Sequence, residues 1–93
     1  VNENELYELW RKASEEERPA LETQLYEAVK RHAQAVAWKK LGEIPRNLCD
    51  EIAGDVVRQL DAFRGDSKFS TWVQAIAQNH ISGELRRRVR DRS

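Results

Sequence analysis

The sequence predicts an all-α fold, a small bundle of three or four helices, and three observations carry that expectation. Apolar residues recur at three- and four-residue intervals along most of the chain, the spacing of one helix face. The 93 residues include only four glycines and two prolines, and no Asn-Gly or Gly-Asn hairpin pair occurs. No clear run alternates apolar and polar residues as a half-buried strand would. A chain of this length suits one domain, spanning 1–93, with 1–22 expected as an extra N-terminal helix.

The first helix is expected from Glu3 to Ala13, where Leu6, Leu9, Trp10 and Ala13 form a stripe. Asn2 or Asn4 could cap it. Ser14 and Glu17 have capping-box spacing, and Arg18-Pro19 marks a break before the next helix. Pro19 suits a first turn. The second helix is expected from Pro19 to Leu41. Its stripe is Leu21, Leu25, Val29, either His32 or Ala33, Val36 and Leu41, flanked by Tyr26, Ala37 and Trp38. Lys39 and Lys40 oppose the negative end of its dipole, and Gly42 followed by Pro45 stops it.

The third helix is expected from Arg46 or Asn47 to Leu60. Leu48, Ile52, Val56 and Leu60 repeat every four residues, with Ala53 and Val57 beside them. Gly54 lies inside it and costs about 1 kcal/mol relative to alanine. Asp50, Glu51 and Asp55 lie off the apolar line and make an acidic, exposed flank. A loop from Phe63 to Phe69 follows, turning at Gly65-Asp66. Ser67 or Ser70 could cap the last helix, whose buried side is Phe69, Trp72, Val73, Ile76, Ala77, Ile81 and Leu85. Trp10 and Trp38 are expected as packing residues.

Net charge is zero, but the two halves differ. Residues 1–55 hold 12 acidic and 8 basic side chains, and residues 56–93 hold 4 acidic and 8 basic. A basic C-terminal part suggests a polyanion partner, or else only a solvated helix end. No apolar run approaches the roughly 18 residues of a membrane span. The start, VNENELYELW, lacks a basic region and an apolar signal core, so secretion is not expected. The lone Cys49 has no disulfide partner, and a cytoplasmic location is the simplest expectation.

Catalytic and metal-binding patterns are absent. His32 and His80 stand on different helices and fit no HxxxH or HExxH spacing. No glycine-rich phosphate loop occurs, and the serines read as caps rather than nucleophiles. Cys49 reads as a small apolar residue. No catalytic residue, metal or cofactor is expected, and an enzyme is the poorest reading.

The segment Asp61-Ala62-Phe63-Arg64-Gly65-Asp66-Ser67-Lys68-Phe69-Ser70-Thr71-Trp72, then Ile76-Ala77-Gln78-Asn79 and a run of arginines, is informative as a whole. In this order it resembles the second conserved region of bacterial RNA polymerase sigma factors, of the extracytoplasmic-function group in the sigma-70 family. Upstream, Leu25-Tyr26-Glu27 and Asp50-Glu51-Ile52-Ala53-Gly54-Asp55-Val56 are similar to the family's early LYE and its acidic helix. The likeness extends from about Leu25 to Arg92, and residues 1–22 lack a clear match.

The resemblance implies a helical bundle with two working surfaces. Asp50, Glu51 and Asp55 match the acidic helix that docks on the beta-prime clamp coiled coil of core RNA polymerase. The loop Arg64, Gly65, Asp66, Ser67 and Lys68, with Trp72, Gln78, Asn79, Arg86, Arg87, Arg88 and Arg90, matches the part that recognises and holds open the −10 non-template strand of promoter DNA. The implied role is a transcription initiation factor domain, and an anti-sigma factor is a conceivable inhibitory partner. The alternative is a sigma-like interaction module that docks on polymerase or a regulator without opening DNA.

These roles make physical sense. Opening a duplex costs about 1.4 kcal/mol per stacked step, so the open strand must be bound more tightly than the duplex. A loop glycine allows close approach to an unstacked base. Asn79 offers a donor and an acceptor for a base edge; the alternative reading is a plain surface residue. Arginines hold phosphates whatever the sequence. Trp72 can be either a core residue or a stacking platform.

Several positions depart from the family pattern. Gly54 replaces a glutamine, Gln78 an arginine, and Gly83 an acidic residue. The stretch before the loop is about one helical turn shorter than usual. The family's fourth region, a helix-turn-helix that reads the −35 element, has no counterpart in these residues.

Overall fold

The computed structural model describes residues 2–92; Val1 and Ser93, the two ends of the expected domain, lie outside the described residues. Four helices follow in order: α1 (Glu3–Lys12), α2 (Arg18–Leu41), α3 (Arg46–Arg58) and α4 (Phe69–Arg92). A short 3-10 turn, Leu60–Ala62, follows α3. Among the described residues there is no strand. The fold is an all-α bundle, as the periodicity requires.

Helix boundaries follow local chemistry. Asn2 caps α1 by accepting the Glu5 N–H at 2.9 Å, and Glu3 and Glu5 sit in the positive first turn. In the turn before α2, the Glu17 carboxylate accepts from the Ser14 N–H and hydroxyl at 3.0 and 2.9 Å. Pro19 then occupies the first turn of α2, where its missing N–H costs nothing. Gly42 closes α2 at φ 71°, a left-handed conformation natural to glycine, and its N–H reaches the Trp38 carbonyl.

α2 is the centre of the bundle and touches each of the other three helices. Leu25, Val29, Ala33 and Ala37 on it are fully buried. They meet Cys49, Ile52, Ala53 and Val56 of α3 and Val73, Ala77 and Ile81 of α4 in one apolar core. α1 adds Leu6, Tyr7 and Trp10 to that core. The Cys49 thiol is pushed up by burial, which suits a packing role.

Several expectations are corrected. The stripe of α1 keeps Leu6 and Trp10 but turns toward Tyr7, which is buried, and away from Leu9, which is 53% exposed. Ala28 is buried, and Trp38 is 61% exposed, so it is not a packing residue. The third helix stops at Arg58, and Leu60 is buried from the 3-10 turn instead. Leu85 lies on the surface because the last part of α4 runs beyond the bundle, whose extents are 51 × 24 × 19 Å. Neither Ser67 nor Ser70 caps α4. The Ser70 N–H is instead accepted by Asn4 of α1 at 2.8 Å.

Polar side chains tie the helices at their edges. His32 of α2 meets Glu3 of α1 through Nδ1 at 2.5 Å and Gln74 of α4 through Nε2 at 2.6 Å. Both ring nitrogens therefore face oxygen atoms, which suits the doubly protonated ring. The bond to Glu3 raises the His32 pKa above its ordinary value, with burial opposing. Glu17, Asp50, Asp55 and Glu84 are shifted down, in that order chiefly by Ser14, Tyr26, His80 and Arg87.

Two predictions follow from these contacts. The His32 contribution is complete below about pH 6.5 and is lost as pH rises through the raised value, whereas the carboxylate contributions are complete above about pH 5 and are lost in acid. Thermal melts should therefore show greatest stability between about pH 5 and 6.5, and Glu3→Gln should flatten the decline toward pH 8. Equal melting temperatures for the wild type at pH 5.5 and 8 would contradict this. For Gly54→Ala, the new methyl would lie 3.3 Å from the tip of the flexible Arg58 side chain. The substitution should raise stability by about 0.5–1 kcal/mol and the melting temperature by a few degrees.

Candidate nucleic-acid interface

The loop between the 3-10 turn and α4 is held at both ends by aromatic rings. Phe63 and Phe69 meet edge-on with centroids 5.6 Å apart, and Trp72 lies 5.1 Å from Phe63 and 5.7 Å from Phe69. Tyr7 of α1 completes the group, stacked on Phe69 at 4.8 Å and edge-on to Phe63 at 5.0 Å. Between these anchors Arg64, Gly65, Asp66, Ser67 and Lys68 are all exposed, and Gly65 turns the chain at φ 80°. A cleft of about 480 Å³ opens between this loop and α1. Asn4, Tyr7 and Arg11 line one side of it, and Phe63, Arg64 and Lys68 the other.

Trp72, expected on the buried side of α4, is only partly covered. It is half-buried, with part of its ring against Phe63 and Phe69 and the rest open. From it, Asn79, Arg86 and Arg90 follow at intervals of seven, seven and four residues, which keeps them on one face of α4. All three are exposed. This face begins at the loop and runs the length of the helix.

The other basic residues divide differently. Arg87 pairs with Glu84, and Arg88 pairs with Glu84 and with Glu43 beyond the end of α2. Those two guanidinium groups are committed within the bundle and lie off the Asn79 line. Gln78 is exposed one residue round the helix, beside Lys40, Ser82 and Leu85. Arg86 makes no ion pair among the described residues, nor do Arg64 and Lys68. Within the expected basic cluster, Arg87 and Arg88 are thus held in ion pairs at the surface and, among the described residues, Arg86 is in none.

The acidic flank of α3 is also less free than its pattern suggests. Asp50 accepts the Tyr26 hydroxyl at 3.0 Å and pairs with Lys30 at 3.2 Å. Asp55 bonds His80 at 3.1 Å and the Gln59 amide at 2.7 Å. Both carboxylates therefore tie helices together, α3 to α2 through Asp50 and α3 to α4 through Asp55. Glu51 alone of the three is fully on the surface, beside a cleft of about 430 Å³ with Arg46, Asn47 and Arg87. Among the described residues no group of three or more His, Cys, Asp or Glu side chains could hold a metal ion. Among the described residues no helix is long and apolar enough to cross a membrane.

Sequence reasoning missed Asn4, Tyr7 and Arg11 as neighbours of the loop. They lie some sixty residues away in the chain, and no local spacing signals such a contact. Comparisons with family models, curated proteins and solved structures return no match for this chain. Trp72→Ala removes a half-buried ring from the aromatic group and should lower stability by about 2 kcal/mol, less than a fully buried tryptophan. Urea unfolding followed by circular dichroism tests this, and a loss below 0.5 kcal/mol would contradict the contact geometry.

Proposed function

We propose that the chain is a sigma-type transcription initiation domain. It binds core RNA polymerase and holds the −10 non-template strand as single-stranded DNA, and it performs no catalysis. The observation that carries this reading is the line of half-buried Trp72 and exposed Asn79, Arg86 and Arg90, which starts beside the Arg64–Lys68 loop. An aromatic ring, an amide and two guanidinium groups at helical spacing supply what a single strand offers to bind: a base face, a base edge and phosphates. The polymerase contact is assigned to Glu51 first, since Asp50 and Asp55 are already hydrogen-bonded within the bundle.

A second reading is a sigma-like interaction module that docks on polymerase or an anti-sigma regulator without opening DNA. It is favoured by Leu85 and Val89, which stand exposed among the arginines, Val89 at 66%. A surface for nucleic acid alone has no need of them.

A mobility-shift assay with core polymerase and single-stranded −10-like oligonucleotides, at two salt concentrations, separates the two readings. Strand capture should require core polymerase and be lost with Asn79→Ala. Arg86→Ala should weaken it for every sequence and reduce the salt slope by about 0.7. Glu51→Lys should weaken core binding without changing the melting temperature. Core binding with no strand selectivity would favour the docking module, and no core binding would overturn the first reading and leave of the second only docking on a regulator.

A further inference from the structure

We infer that α1 is a positioning element for the Arg64–Lys68 loop, acting through Asn4 and Tyr7. This rests on the strand-holding role proposed for that loop. The loop's five residues are exposed, and one of them is a glycine, so little within the segment fixes its shape. Besides the mutual contacts of Phe63, Phe69 and Trp72, what fixes its ends comes from α1. Asn4 Oδ1 accepts the Ser70 N–H at 2.8 Å, and Asn4 Nδ2 donates to the Ser70 hydroxyl at 3.2 Å. Asn4 thereby supplies an N-terminal cap to α4 across 66 residues of sequence. The serine before that helix does not do this work, since the Ser67 hydroxyl donates to the Lys68 carbonyl.

Tyr7 supplies the second hold. Its ring is 9° from parallel with Phe69 and 82° from Phe63, so one side chain of α1 touches the residues at both ends of the loop. α1 is itself well anchored. Glu3 is bonded to His32, the Trp10 indole N–H donates to Glu22 at 2.9 Å, and the Arg18 guanidinium lies 4.2 Å from the Trp10 ring centre. A loop with fixed ends loses less freedom when it closes on a strand, and affinity rises accordingly.

Three variants test this: Asn4→Ala, Asn4→Asp and Tyr7→Leu. Asp keeps the acceptor for the Ser70 N–H, and Leu keeps apolar volume while removing the ring. Hydrogen exchange of amides 64–71, read on the chain without DNA, should quicken in Asn4→Ala and Tyr7→Leu and return toward wild type in Asn4→Asp. Strand capture with core polymerase should weaken about fivefold in Asn4→Ala and recover in Asn4→Asp, while affinity for core polymerase alone stays unchanged.

Unchanged exchange in both Asn4→Ala and Tyr7→Leu overturns the inference, as does quicker exchange with unchanged strand capture. Equal loss of core binding and strand capture also overturns it, because that is general destabilisation. A wild-type chain that captures no strand overturns the sigma reading, and the exchange rates then decide the positioning role on their own.

Discussion

The burial of one long helix by three others is the constraint on which everything else depends. α2 presents Leu25, Val29, Ala33 and Ala37 without any exposed area, and each of the other helices packs on it. The alanines bring the neighbouring helices close, and the larger residues fill the remaining space. Because this seam is wholly apolar, the charged residues are driven to the rim. There they act in pairs between helices: Glu3 with His32, Lys30 with Asp50, and His80 with Asp55.

Those rim pairs change the meaning of the charge pattern. A carboxylate off the apolar stripe is expected in solvent, yet Asp50 and Asp55 are occupied by partners from α2 and α4. The same holds for Arg87 and Arg88, whose charges are met by Glu84 and Glu43. Of the charged residues expected at the two surfaces, those without an ion pair among the described residues include Glu51 on α3, Arg64 and Lys68 in the loop, and Arg86 on α4. Such groups are the ones open to an outside charge of opposite sign, anionic for the three cations and cationic for Glu51, because a paired charge must first give up its existing partner.

The candidate strand-binding surface joins a helix and an exposed loop. Trp72, Asn79 and Arg86 share a continuous helix, so their separations are set by helix geometry. The loop carries glycine and exposed polar residues, so its shape depends on what holds its ends. Phe63, Phe69, Tyr7 and Asn4 form that hold, and three of these four are aromatic rings in mutual contact. An aromatic group of this kind combines large apolar contact area with a preferred geometry, which suits a hinge point that must stay put.

Much of this was legible from the residues in order. The helix class, the breaks at Pro19, Gly42 and Pro45, and the buried lines of α2 and α3 are consequences of local propensity and periodicity, which need only neighbours a turn or two away. Sequence reasoning groups Trp72, Gln78, Asn79 and four arginines together and does not separate the face that Trp72, Asn79, Arg86 and Arg90 share. The rotation of α1 that buries Tyr7 rather than Leu9 was not legible either, since both residues fit an amphipathic helix and only contact with Phe63 and Phe69 selects one. Nor was the capping of α4 by Asn4, or the division of the arginines into paired and open sets. Those outcomes depend on which side chains from distant parts of the chain reach one another, and distance in space has no counterpart in distance along the sequence.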